Sequence, residues 1–369
     1  MGALNPGDAR RPGCVDTCHG CRHRDLDDAA SLAQKQRYLA RALAGWRDRI
    51  AAVATAGARY GYRDRVTLSV RPDADGAWQF GLVRRDELIP IPDCPVHTRR
   101  VRALVHLLAR HLPRPDQLPL AYLHVAGAQA TLIVKARRAT LPVDDAFGGA
   151  LIAAGIEGLW VHCHPSAGRR LFARSGWHLV WGRRESQGPG GFEHGPTAFL
   201  QALPELHLQS VAAACRYLAP GPGVAVLDLY CGLGATLHQW TAAGSPTLGI
   251  ELSGEAVDCA ARNAPAARVL RGTCLQRLPQ VREWWASAPA TDRVAYLNPP
   301  RSGLEAAVAA ALFSELRPSR VAYLSCSAGT LARDLAAAVA SGYRVSALHP
   351  YDFFPNTHHV EVLALLART

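Results

Sequence analysis

The chain has 369 residues, 49% of them hydrophobic, which leaves room for one large domain plus a smaller one and for a core that needs no disulfide staples. No apolar run reaches the ~18 residues of a membrane span, and residues 1–13 lack the apolar stretch of a secretory signal, so no membrane contact is expected and the expected location is the cytoplasm. The formal net charge of +11 favours a polyanionic partner, although Lys35 and Lys135 are the only lysines and an arginine-rich chain can owe its charge to genome composition.

In chain order, residues 1–13 read as a flexible tail of Gly, Pro and Arg. Cys14, Cys18 and Cys21 follow as a cluster. In a reducing compartment the ten cysteines serve as metal ligands, catalysts or small core residues. Residues 25–47 predict a helix, with Asp27 and Asp28 in its first turn and Leu32, Tyr38, Leu39 and Leu43 on recurring faces. The runs 66–70, 78–80 and 130–134 predict strands bounded by turn residues, with a helix over 101–111. Residues 157–164 and 177–181 also read as strands, and the polar, Gly-rich stretch 182–196 as a loop. After Thr197 the texture changes. A helix over 209–218 precedes a short apolar strand over 224–228 that ends in an acid. A strand over 247–251, a helix over 255–263 and strands at 269–271, 294–297 and 320–324 follow, separated by helical stretches. This alternation predicts an α/β fold with a parallel, doubly wound sheet. Residues 345–349 and 359–366 close the chain as two adjacent strands.

Asp228-Leu229-Tyr230-Cys231-Gly232-Leu233-Gly234 lies between a buried strand and a helix, where glycines let a ligand approach the helix N-terminus. Glu251, ending the next strand, can accept both hydroxyls of a ribose. The full GxGxxG pattern is missing, which argues against hydride chemistry; a nucleotide-free turn and an incidental acid is the plainer alternative.

Three later segments complete a pattern: Asn298-Pro299-Pro300-Arg301-Ser302-Gly303-Leu304; Leu324-Ser325-Cys326-Ser327-Ala328-Gly329-Thr330; and Asp352-Phe353-Phe354-Pro355-Asn356-Thr357-His358-His359-Val360-Glu361. With the glycine loop, and in this order, they resemble the RNA (uracil-5)-methyltransferase family over residues 199–366. Cys14, Cys18 and Cys21, with Cys94 in Ile91-Pro92-Asp93-Cys94-Pro95, are similar to that family's iron–sulfur ligand set. Three close cysteines and a remote one give four thiolates around one centre; structural zinc and unliganded thiols are the alternatives. The resemblance implies a class I S-adenosylmethionine-dependent methyltransferase with a Rossmann-like, doubly wound sheet, acting as a monomer. The expected division is a tail over 1–13, a 4Fe-4S cluster segment with the first strands over 14–100, a central α+β subdomain over 101–196 and a catalytic domain over 197–369. Only thirteen residues precede Cys14, so the oligonucleotide-binding barrel of many relatives is expected to be missing. That layout, with Asn298 where many relatives have Asp, resembles the subfamily acting on 23S ribosomal RNA more than the transfer-RNA enzymes, which usually lack the cysteines.

The chemistry explains the residue types. Uracil C5 is a weak nucleophile; a thiolate adding to C6 activates it, C5 takes the methyl, and a base removes the C5 proton so that the thiolate leaves. Cys326 follows a predicted parallel strand and begins a helix whose dipole favours a thiolate. The resemblance makes Glu361 the base, and a carboxylate half-buried there should have a raised pKa; His358 and His359 could instead take that task or hold RNA phosphate. By the same resemblance Gln201, Tyr230, Glu251 and Asn298 contact S-adenosylmethionine, with Gly232 and Gly234 in the loop. Cys231 reads as packing near the cofactor. The pair His162 and His164 lies on one strand face without further ligands. Two positions depart from the family: Ser327-Ala328 stand where Asn-Pro is usual, and Leu203 where Asn is usual. Two other readings remain open at this point. One is amine methylation of adenine or guanine through Asn298-Pro299-Pro300. The other is a non-catalytic RNA-binding protein on a decayed methyltransferase fold.

Overall fold

The computed structural model describes residues 11–369, so residues 1–10 of the expected tail lie outside the described residues. Chain contacts divide into two units: the described residues up to Leu26 with Ala58–Ala202, and Asp27–Gly57 with Leu203–Thr369. The first helix, α1 (Asp28–Ala42), capped by the Asp27 carboxylate accepting from the Ala30 N–H, belongs to the second unit.

The first unit is built on one sheet of β1 (Arg65–Pro72), β2 (Trp78–Arg84), β3 (Glu87–Pro90), β4 (Leu120–Ala126), β5 (Gln129–Val134), β6 (Gly158–Cys163) and β7 (Trp177–Gly182). Their order is β3-β2-β1-β4-β5-β6-β7. Pairing is antiparallel except between β5 and β6, which α3 (Asp145–Ala153) connects as a parallel crossover. Helix α2 (Arg99–His111), capped by Thr98, lays Val101, Leu104, Val105 and Leu108 on the sheet's core. Because the sheet runs through residues 65–182, no division falls at residue 100. The stretch 182–196, expected as a loop, folds back as a small hairpin of β8 (Ser186–Gln187) and β9 (Glu193–His194).

The second unit carries the α/β alternation. After α4 (Pro204–Leu218) come β10 (Val224–Leu229), α5 (Ala235–Ala242), β11 (Thr247–Glu251), α6 (Gly254–Asn263), β12 (Arg268–Arg271), α7 (Cys274–Ser287), β13 (Asp292–Leu297), α8 (Ala306–Ala310), β14 (Arg320–Ser325), α9 (Ala328–Ala340), β15 (Tyr343–Tyr351) and β16 (Glu361–Arg368). The sheet order is β12-β11-β10-β13-β14-β16-β15. The first five strands run parallel and β16 lies antiparallel between β14 and β15. The order reverses between β10 and β13, the place where open α/β sheets leave a crevice at their carboxyl ends. The central parallel strands β10, β13 and β14 read as nearly continuous apolar runs because helices cover both faces. Asp27–Gly57 joins this unit because Leu39 and Leu43 are fully buried in the same core as Val321, Tyr343 and Val362.

Candidate active site

The turn after β10 is shaped by three left-handed residues, Tyr230 (φ 64°), Gly232 (φ 56°) and Gly234 (φ 88°). They do different work. A Cβ on Gly234 would stand 2.9 Å from the Ala260 Cα, so this glycine lets α5 approach α6. A Cβ on Gly232 would meet nothing within 4 Å, so its backbone faces open space. Glu251 closes the loop from the next strand: its Oε2 accepts from the Gly232 N–H at 3.1 Å and its Oε1 from the Ser253 N–H at 2.7 Å. Asn298, the first residue after β13, donates its N–H to the Leu229 carbonyl at 3.2 Å, which brings it to the same strand ends.

Below the loop, Asp228 is fully buried, with Oδ2 accepting from Thr236 Oγ1 at 2.6 Å and Trp240 Nε1 at 2.8 Å. Burial, more than the nearby Glu251 charge, pushes its carboxyl up to about 7. Cys231 is buried with its thiol raised well above the ordinary range by desolvation, as expected of a packing residue. An open glycine backbone, a strand-end carboxylate and a neighbouring amide at the switch point fit a nucleoside carrying adjacent hydroxyls. Gln201 belongs to the first unit.

Cys326 follows β14 and precedes α9, whose N-cap Ser327 accepts from the Thr330 N–H. Ser325 pairs with Val362 across the β14–β16 ladder, so continuing that register sets Cys326 opposite Glu361. Glu361 is 4% exposed. The Cys326 thiol is raised above its ordinary value, first by burial and then by the Glu361 charge; the nearby Arg301 positive charge pulls it back down. Composition and periodicity gave no role to Arg301. Its loop is fastened to α9: Thr330 Oγ1 donates to the Arg301 carbonyl at 3.2 Å, and Arg333 Nη2 to the Ser302 and Leu304 carbonyls at 2.9 and 3.0 Å. Asp334, buried on the same helix, accepts from the Leu304 N–H and the Tyr323 hydroxyl. The signal for this anchor is a carboxylate set on the apolar stripe Leu331, Leu335 and Ala338.

In the first unit, Gly13 (φ 84°) packs so closely on the Asp93 carbonyl that any side chain would clash, which brings Cys14 toward Cys94. Burial first, and then Cys94, Cys18 and Cys14, raise the Cys21 thiol to about 11, so the four thiols lie within electrostatic reach of one another. Among the described residues no three His, Cys, Asp or Glu side chains form a closed metal-binding group. His162 does not act as a ligand: it stacks on Trp177 at 3.9 Å and its Nε2 accepts from the Ala173 N–H.

Residues 290–369 match the family model described as tRNA (Uracil-5-)-methyltransferase. The 23S rRNA (uracil(1939)-C(5))-methyltransferase RlmD of Thiobacillus denitrificans is 31% identical over 95% of this chain and 83% of its own length. The enzyme of that name from Aromatoleum aromaticum is 30% identical over 97% of this chain and 86% of its own. The structure of Pyrococcus abyssi tRNA (uracil-54, C5)-methyltransferase with S-adenosyl-L-homocysteine shares the fold, with a TM-score of 0.73 at 19% identity over 95% of this chain and 86% of that one. Full-length identity at this level, together with the glycine loop and the strand-end cysteine, establishes that the chain belongs to the family of S-adenosylmethionine-dependent RNA (uracil-5)-methyltransferases.

Proposed function

We propose that the chain methylates C5 of a uridine in 23S ribosomal RNA through a covalent adduct on Cys326. The observation that carries the mechanism is the ladder register that sets Cys326 opposite Glu361, with the Arg301 charge acting on the thiol. Arg301 and the N-terminus of α9 favour the thiolate, which adds to uracil C6 and pushes the electron pair toward C5. S-adenosylmethionine supplies the methyl as a sulfonium electrophile. Glu361 then takes the C5 proton, the C5–C6 double bond re-forms and the Cys326 thiolate is expelled. Tyr230, Gly232, Gly234, Glu251 and Asn298 form the cofactor site in this reading. The ribosomal target rests on the names of the full-length relatives.

RNA carrying 5-fluorouridine tests the thiol chemistry. The fluorine cannot leave as a proton, so the wild-type protein should stay bound to RNA through denaturing electrophoresis, and Cys326→Ala should not. Methylation of ordinary RNA with no fluorouridine adduct would sink the mechanism and favour amine methylation. Mapping 5-methyluridine in ribosomal and transfer RNA from cells with and without the gene decides the target.

Cys14, Cys18, Cys21 and Cys94 hold a 4Fe-4S cluster in this reading. Its support is the spacing of three close cysteines and a remote one, which resembles the family's ligand set, with the side chains within electrostatic reach of one another. When bound, such a cluster braces the segment and needs no part in methyl transfer, which moves no net electrons. Protein purified without oxygen should be brown; a colourless protein with one equivalent of zinc would overturn the assignment.

A further inference from the structure

We infer that Lys35, 317 residues away in sequence from its partner Asp352, is a positioning residue that fixes Glu361 for proton removal. The inference rests on the role of Glu361 proposed above. Lys35 is 1% exposed in a chain whose positive charge is almost wholly arginine. Its Nζ donates to Asp352 Oδ1 at 2.5 Å and to the Phe354 carbonyl at 3.2 Å. Asp352 is likewise buried. A buried ion pair with further hydrogen bonds adds little to net stability, but it fixes geometry, and breaking it leaves an uncompensated charge.

The geometry being fixed is that of the candidate base. Tyr351 pairs with Glu361 across the β15–β16 ladder, and Asp352 is the residue after Tyr351. The segment behind α1 grips the same point from outside. Ala54 bridges Tyr351 in parallel, Ala51 donates its N–H to the Leu348 carbonyl at 2.9 Å, and the Asp352 N–H donates to the Ala54 carbonyl at 2.8 Å. Gln36, the residue after Lys35, holds that segment, its Nε2 donating to the Ala51 carbonyl and its Oε1 accepting from the Val53 N–H. One row thus runs across the sheet end from Cys326 through Glu361 and Tyr351 to Ala54, with Lys35 locking its outer side. Helix α1 also packs on α9, the helix that Cys326 introduces. Lys35 touches no reacting atom in this arrangement; it acts through the loop that leads into Glu361.

Loosening this anchor should slow proton removal more than thiol addition or methyl transfer, because only the later step uses Glu361. The test is Lys35→Met, which keeps length and removes charge, compared with Glu361→Gln on RNA with ordinary uridine. Expected for K35M are retained S-adenosylmethionine binding, turnover lower by roughly tenfold or more, and a methylated protein–RNA adduct that survives denaturation. Asp352→Asn, which keeps an acceptor for Lys35 but not its charge, should give the same build-up to a smaller degree, and it carries the test if K35M does not fold. An adduct with E361Q but none with K35M or D352N overturns the role of Lys35 and leaves Glu361 in place. No adduct with any of the three overturns the reading of Glu361 itself, and the inference with it.

Discussion

At the scale of single residues, the thiol proposed to react is held in an unfavourable state. Burial and the facing carboxylate both raise the Cys326 pKa, and Arg301 opposes them. With the thiolate as the proposed nucleophile, kcat/KM should rise with pH through the neutral range until the thiol is ionised. Arg301→Ala removes the lowering influence, so the whole rise should move to higher pH, with kcat/KM at pH 7 falling roughly tenfold per unit of displacement. A pH–rate profile that does not move would remove Arg301 from this role. Cys326 could be singled out from ten cysteines in the sequence because a strand, a helix start and a motif surround it. Arg301 could not, because its place near the thiol depends on how α9 fastens the loop after β13.

At the scale of elements, the two glycines of the loop make a discriminating pair. Gly232→Ala puts a methyl into open space, so stability should change by no more than about 1 kcal/mol from the left-handed backbone. If the cofactor fills that space, affinity for S-adenosylmethionine should still fall roughly tenfold or more. Gly234→Ala drives a methyl into Ala260, so it should destabilise by about 2 kcal/mol or more, with cofactor binding lost as a consequence. Calorimetric binding and denaturant titration of both variants separate the two effects, and equal losses of stability would contradict the geometry. The central strands β10, β11, β13 and β14 were legible because each is a short apolar run followed by a helical period. Strand β4 was not, because Leu120–Ala126, though flanked by Pro119 and Gly127, is nearly continuous in hydrophobicity and lacks the alternation that marks a strand. Strand β3 is four residues long, and β8 and β9 exist only by pairing with each other. The placement of α1 was also hidden: its periodicity announces a buried face but not which core that face joins.

At the scale of the whole molecule, the two units should respond differently to acid. In the first, burial lowers His97 to about 4, His124 to about 3 and His162 to about 4. A histidine whose folded pKa lies below 6.5 stays neutral in the fold and takes a proton when unfolded, so its share of stability is lost as pH falls from 6.5 toward 4. The second unit has His207, also lowered to about 4, with His349 and Asp292 lowered as well, but Asp228 works against them. An acid raised to about 7 binds its proton more tightly when folded, so it weakens the unit as pH rises and relieves it as pH falls. Hydrogen exchange between pH 7 and 4.5 should therefore show β4, β5 and β6 losing protection before β10, β13 and β14. Simultaneous loss would mean that the buried histidines do not set the acid limit.

The path of the chain through Asp27–Gly57 also bears on synthesis. This segment leaves the ribosome early, yet Leu39 and Leu43 have their burial partners on strands made near the end. At about 5–20 residues per second, translating residues 58–202 alone takes roughly 7–30 s. Each nascent molecule thus carries an apolar helix face without its core for many seconds. Chaperone capture and off-pathway association should concentrate in that interval, and slowing translation within residues 58–202 should lower soluble yield more than slowing it before α1 is made.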